Sequence, residues 1–209
     1  MTATITPPQG EAFAPAGEWA AELTELQARI RPHFLFNTLN SAIALVREDP
    51  ARAESLLEDL SDLFRHALVD QGESVTLAQE ITLAERYLAI EQVRFGERLQ
   101  VEWALDPAAG TARLPPLLLQ PLVENAVKHG VEPSEAGAQL RISTQRRGDQ
   151  VLIKVTNTVP GGQGPGGQGL ALDNVRDRLH LLHDMQAQFD AGLKDGVYQV
   201  RIQIPGSAS

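Results

Sequence analysis

In Leu114–Gly130, LPPLLLQPLVENAVKHG, an apolar run leads into a polar cluster of Glu124, Asn125, Lys128 and His129. On a helix Asn125 and His129 lie one turn apart, with Lys128 three residues from Asn125 on the same side. An amide oxygen there can ligate Mg²⁺, and a lysine ammonium can meet phosphate oxygens as a compact charge. An ordinary amphipathic helix with a solvated polar end has the same pattern, so the segment alone does not separate the two. A second constellation is Arg31-Pro32-His33-Phe34-Leu35-Phe36-Asn37. A neutral imidazole nitrogen is nucleophilic near pH 7, so His33 can accept a phosphoryl group while Asn37, one turn on, orients the ring. A lone helical histidine is more often a plain surface residue, but Pro32 and the flanking Phe34 and Phe36 set this one apart. Third, GGQGLALDNVRDRL puts glycines just ahead of a helix start, where backbone amides and the helix dipole attract anions.

These residues need elements to hold them. Residues 1–17, rich in Pro, Gly, Ala and Thr, read as a disordered lead-in. From Glu18 apolar residues recur at three and four through Trp19, Leu23, Leu26, Ile30, Phe34, Leu39 and Ile43, predicting a helix to about Arg47 with a kink at Pro32. After Asp49-Pro50 a second helix carries Leu56, Leu57, Leu60, Leu63, Phe64 and Leu68, with Glu54, Glu58, Asp59 and Asp62 facing out. The short joint makes the pair antiparallel, and a stripe too wide for one partner calls for a second copy, a four-helix bundle. A third helix begins at a cap in Val75–Glu80, runs to Phe95 and stops at Gly96. The rhythm then turns to strands at Leu99–Leu105, Gln139–Gln145, Gln150–Thr158, Gln188–Ala191 and Val197–Ile204. Among them stand a helix entered through Pro115-Pro116 and stopped by Gly130, and another at Leu170–His183, preceded by a mobile glycine loop at Val159–Gly169. This is an α/β sandwich with one mixed sheet and helices on one face.

Composition narrows the function classes. The 209 residues have a net charge of −9, which argues against direct nucleic-acid binding. Cysteine is absent, so thiolate catalysis and disulfide frameworks are excluded. There is no GxxxxGK[ST] phosphate loop and no His-Glu-x-x-His metal pair. No apolar run approaches the ~18 residues that span a bilayer, and the start lacks a signal-peptide pattern. The expected location is cytoplasmic, as part of or partner to an inner-membrane sensor whose membrane segment this chain does not include.

PHFLFNTLN, YLAIEQVRFGERL, LQPLVENAVKHG and GQGLALDNVRDRL, in that order, resemble the LytS/YehU-type sensor histidine kinases, most of all their alginate-regulator AlgZ/FimS branch. The resemblance covers about residues 22–204. It implies an α+β protein: a helical hairpin forming a dimeric four-helix bundle over 18–70, a connecting helix over 71–98, and a GHKL-type α/β ATP-binding domain over 99–205. It implies an ATP-dependent kinase that phosphorylates its own histidine and passes the phosphate to an aspartate of a response regulator, often of LytTR type. Carried over, His33 is the phosphoacceptor and Asn37 its helper. Asn125 binds Mg²⁺, and Lys128 and His129 lie near the ATP phosphates. Asn157 or a neighbour in Thr156–Pro160 stands where the family reads adenine, and Gly167 and Gly169 belong to the glycine box of the lid, 161–169.

Four positions depart from the pattern. Phe34 occupies a place where many such kinases carry an acid. Asn157 replaces a charged acceptor, which weakens adenine binding by ~10-fold on hydrogen-bond strengths alone. Ala171 stands where a second glycine is common. Pro121 stands where related ATPases carry a water-activating glutamate, which disfavours free hydrolysis. Two other readings are a non-catalytic dimeric module with a degenerate pocket that acts on a regulator by binding, and an anti-sigma type serine kinase. The latter would not need the helical hairpin.

Overall fold

The computed structural model describes residues 32–68, 72–159 and 169–206. The first part of the helix expected from Glu18, its kink, the 1–17 lead-in and residues 161–168 with Gly167 lie outside the described residues. The fold is α+β: a helical hairpin, a long connecting helix, and a mixed sheet with helices packed on one face.

Helix α1, Pro32–Glu48, and helix α2, Pro50–Leu68, form the hairpin. Asp49 is the joint: its Oδ1 accepts the Arg52 amide at 3.1 Å, and Pro50 fills the first helical position, where no amide is needed. Leu56, Leu60 and Leu63 of α2 are buried. Part of that stripe packs on α3, Leu77–Phe95, a partner the periodicity does not reveal. Asp59 and Asp62, expected to face out, are instead half-buried against Arg86 of α3, with Asp59 3.9 Å from the guanidinium and Asp62 closer. Burial pushes the Asp59 carboxyl up, Arg86 opposing it.

Helix α3 begins on a capping box, with the Gln79 amide donating to Thr76 Oγ1 and the Thr76 amide to Gln79 Oε1. It ends at Gly96, whose φ of +55° suits only a residue without a Cβ. A short ladder, unforeseen from sequence, pairs β1, Val75–Thr76, with β3, Arg113–Leu114, and ties the start of α3 to the chain that leads into the next helix.

The main sheet joins β2 (Leu99–Ala104), β4 (Ala138–Arg147), β5 (Gln150–Thr158), β6 (Gln188–Lys194) and β7 (Val197–Pro205) in the order β2-β4-β5-β7-β6. The β2–β4 pair is parallel and the others antiparallel. Register puts Ile142 beside Val155 and Ile153 beside Ile202, so one face is apolar and buried. Arg141, Lys154 and Arg201 occupy the other, polar face. Helices α3, α4 (Gln120–Ala126) and α5 (Gly169–His183) cover the apolar face. No helix among the described residues is long and apolar enough to cross a membrane.

Candidate functional site

Sequence spacing places the first turn of α4 at Pro115 and Pro116. It lies later, at Gln120, with Pro121 taking the favoured proline position. The cause is Glu80 of α3, which is 2% exposed and accepts the amides of Leu117, Leu118 and Leu119 at 2.6, 2.7 and 2.9 Å. Those amides are held in a turn instead of a helix, with Leu117 at a left-handed φ of +56°. Arg178 of α5 donates to the Pro116 carbonyl and so pins the same turn from the other side. Burial pushes the Glu80 carboxyl up while the three amides and Arg178 pull it down. Leu122 and Val123 then bury the inner face of α4, and Leu118 is buried in the turn before it.

Asn125 is buried at 7% exposure, and its amide nitrogen has no hydrogen-bond partner. Such groups are rare in interiors and call for an explanation. Gln120, one turn back, also keeps its Oε1 unpartnered while its Nε2 donates to Glu124 at 3.1 Å. Beyond Ala126 the helix widens into a π turn, Val127–Val131, which sets Lys128 in solvent and leaves His129 half-buried. Gly130 does not end the helix, as its residue type suggests. It is buried against β5, so that a Cβ there would meet Asn157 Nδ2 at 2.9 Å and the Thr158 carbonyl at 3.0 Å. This close approach brings the end of α4 against β5. Asn157 itself is 4% exposed and donates Nδ2 to the Thr158 carbonyl at 3.2 Å. Gly169 is the first residue of α5. Asn125, Lys128, His129 and Asn157 thus belong to one neighbourhood, where α4, its π turn and β5 meet.

His33 is exposed near the start of α1, and the Asn37 amide nitrogen is 3.1 Å from its Nδ1 and 3.4 Å from its Nε2. A neutral ring has one bare nitrogen, and the contact with Asn37 decides which one is engaged. Phe34 turns the other way: it is buried and stacks on Tyr87 of α3, ring centroids 5.0 Å apart. The residue that replaces an acid after His33 therefore anchors the helix and leaves the imidazole in solvent.

Several residues here escape a reading by spacing. Tyr87 hydrogen-bonds Glu91, and Glu91 is 3% exposed with its pKa raised to about 7. Burial is the main cause; Glu132 adds to it, and Arg94 opposes it from 3.4 Å. His183, at the end of α5, is half-buried with Nε2 2.8 Å from the Arg113 carbonyl. Only the helical period of YLAIEQVRF hints at the Tyr87–Glu91 pair, and nothing local names their partners.

Residues 21–99 match the family model described as histidine kinase. The chain is 41% identical over 135 residues to the sensor histidine kinase BtsS of Escherichia coli strain K12, covering 65% of this chain and 24% of that protein. It is 31% identical over 203 residues to the sensor protein LytS of Enterococcus faecalis, covering 88% of this chain and 34% of that protein. It thus spans about a quarter to a third of the length of these curated relatives. Among solved structures, a bacterial phosphotransferase aligns with a TM-score of 0.50 at 13% identity, over 91% of this chain and 98% of that one, a likeness of fold alone.

Proposed function

Because this chain belongs to the histidine kinase family, in its LytS-type branch, we propose that it is a kinase core that moves the γ-phosphoryl group of ATP to His33 and then to an aspartate of a response regulator. Residues 18–70 would form the phosphoaccepting, dimerising part, 71–98 the connecting helix and 99–205 the nucleotide-binding part. The observation that carries this reading is the buried, unpartnered amide of Asn125 beside the exposed ammonium of Lys128. A buried amide N–H without an acceptor costs about 1–3 kcal/mol, and a phosphate oxygen would accept from Nδ2 while Oδ1 faces Mg²⁺.

In this reading Asn125 turns its amide oxygen to Mg²⁺, Lys128 and His129 meet phosphate oxygens, and Asn157 accepts from the adenine amino group. Bound Mg²⁺ supplies charge neutralisation on the phosphates. Phosphoryl transfer needs placement and electrostatics more than covalent help from the protein. His33 supplies the attacking lone pair from its bare ring nitrogen while Asn37 turns its amide oxygen to accept from the N–H of the other, and that proton passes to solvent as the phosphoimidazole forms. The bond to phosphorus forms at His33 as the bond to the ADP oxygen breaks, and ADP leaves with that electron pair. A carboxylate oxygen of the regulator aspartate, whether the regulator is of LytTR type or another, then attacks phosphorus as the P–N bond breaks, and His33 leaves with that electron pair and takes a proton to become a neutral imidazole again.

Labelled ATP tests the reading. Wild type should acquire a label lost in acid and kept in alkali, and His33→Gln should reduce it to background with the oligomeric state unchanged. Full labelling of His33→Gln would remove His33 as the acceptor. One observation favours a second reading: Asn157 is uncharged and already donates its Nδ2 to a neighbouring carbonyl. A binding module with a degenerate pocket would leave the melting temperature unmoved by saturating MgATP, whereas a working pocket raises it.

A further inference from the structure

YLAIEQVRFGERL is the one motif of the four to which neither the sequence nor the site assigns chemistry. Its C-terminal half lies where α3 gives way to a single 3₁₀ turn, Gly96–Arg98. There the Arg98 guanidinium donates to carbonyls of the segment that ends the π turn. Nη2 reaches Val131 O at 2.9 Å, Ser134 O at 2.6 Å and Glu132 O at 3.4 Å, and Nε reaches Ser134 O at 3.1 Å. Carbonyls at a helix C-terminus have no partner within the helix, and a cation satisfies both their lone pairs and the negative end of the dipole. Arg94 holds the same segment through Glu132, 3.3 Å away, and Phe95 lies under both guanidiniums at 4.4 and 5.4 Å. Gly137, at φ +80°, lets the chain close over this arginine: a Cβ there would lie 2.0 Å from the Arg98 carbonyl oxygen.

A π turn is a rare and poorly bonded stretch of helix, so its shape depends on what grips it from outside. This one carries Lys128 and His129. Resting on the nucleotide-site reading above, we infer that Arg98 is a positioning residue that aims Lys128 and His129 at the nucleotide phosphates by gripping the carbonyls behind them. Nη2 alone spans Val131 and Ser134, while Nε adds a second bond to Ser134 and the flat guanidinium lies over Phe95; a lysine ammonium keeps only the first of these.

The test compares wild type, Arg98→Ala, Arg98→Lys and a control, Asp106→Ala, each below its own melting onset. Asp106 accepts the Arg146 and Ala108 amides at 2.8 and 2.9 Å, at the end of β4 remote from the π turn. MgATP affinity is read by titration, and backbone order by hydrogen–deuterium exchange over 127–134. Arg98→Ala should bind MgATP at least tenfold more weakly and exchange faster over 127–134. Arg98→Lys should lie between it and wild type, and Asp106→Ala should bind like wild type. Wild-type affinity in Arg98→Ala overturns the inference, as does an equal loss in Asp106→Ala, which would make the effect one of general stability. A wild type that does not bind MgATP overturns the nucleotide reading, and this inference with it; the failure of the unmutated protein tells that case from the others.

Discussion

Glu91 holds a carboxyl group among Tyr87, Arg94 and Glu132 with 3% of its surface exposed, and burial raises its pKa from 4.5 to about 7. The sign follows from proton binding. Below pH 4.5 both folded and unfolded chains hold the proton, so Glu91 contributes no pH dependence. Between 4.5 and 7 the folded state keeps a proton that the unfolded state has lost, so stability falls as pH rises through that window and levels off above it. Glu91→Gln should remove this slope. The difference in unfolding free energy between pH 5 and pH 8 should shrink by about 3 kcal/mol relative to wild type. Denaturant unfolding at the two pH values measures it, and superimposable profiles for variant and wild type would show that Glu91 titrates as an exposed glutamate does. At this scale the sequence is most legible where partners share a helix. His33 and Asn37 are four residues apart, and their contact follows from spacing alone. Glu91 and Glu132 come together only through packing.

Local rules place α3 correctly at both ends, because its cap and its stop are made of adjacent residues. The same rules misplace the start of α4. Pro115 and Pro116 suit a first turn, but the amides that follow them are claimed by Glu80, 37 to 39 residues away. Three bonds to one carboxylate outweigh the ~1–2 kcal/mol that a left-handed leucine costs. Glu80→Gln should destabilise the fold by about 3 kcal/mol in urea unfolding, since an amide presents one acceptor oxygen and turns an N–H toward another donor. It should also weaken MgATP binding, because the turn sets the direction from which α4 presents Asn125. A variant that unfolds with wild type would show that the turn holds its shape without Glu80. The π turn and Gly130 teach the same lesson: glycine suggests a stop, whereas the close approach of Asn157, Thr158 and Ala138 leaves a Cβ little room.

Across the molecule, α1 keeps a solvent-facing apolar stripe of Phe36, Leu39, Ile43 and Val46, and Leu57 of α2 is exposed as well. Helix α3 covers the opposite side of the hairpin through Phe34, Leu56 and Leu60. The stripe is thus available to the proposed second copy, which would meet α1 and Leu57. Ile43, 70% exposed, can be charged without disturbing the core. If this stripe seats the proposed second copy, wild type should sediment as a dimer and Ile43→Asp as a monomer, with the melting of the sheet domain within about 0.5 kcal/mol of wild type in unfolding free energy. A monomeric wild type, or a dimeric Ile43→Asp, would mean that this stripe is not the interface.

By itself the sequence determined the order and type of nearly every element and the pairing of His33 with Asn37. Hydrophobic period, caps and breakers act within a few residues, and those interactions do not wait for the fold. Only the tertiary structure decided where α4 begins, why Gly130 is glycine, and what Glu80, Glu91 and Arg98 hold. Each of these depends on a charge or a close contact contributed from a distant part of the chain, and burial gives such contacts the strength to override local preference.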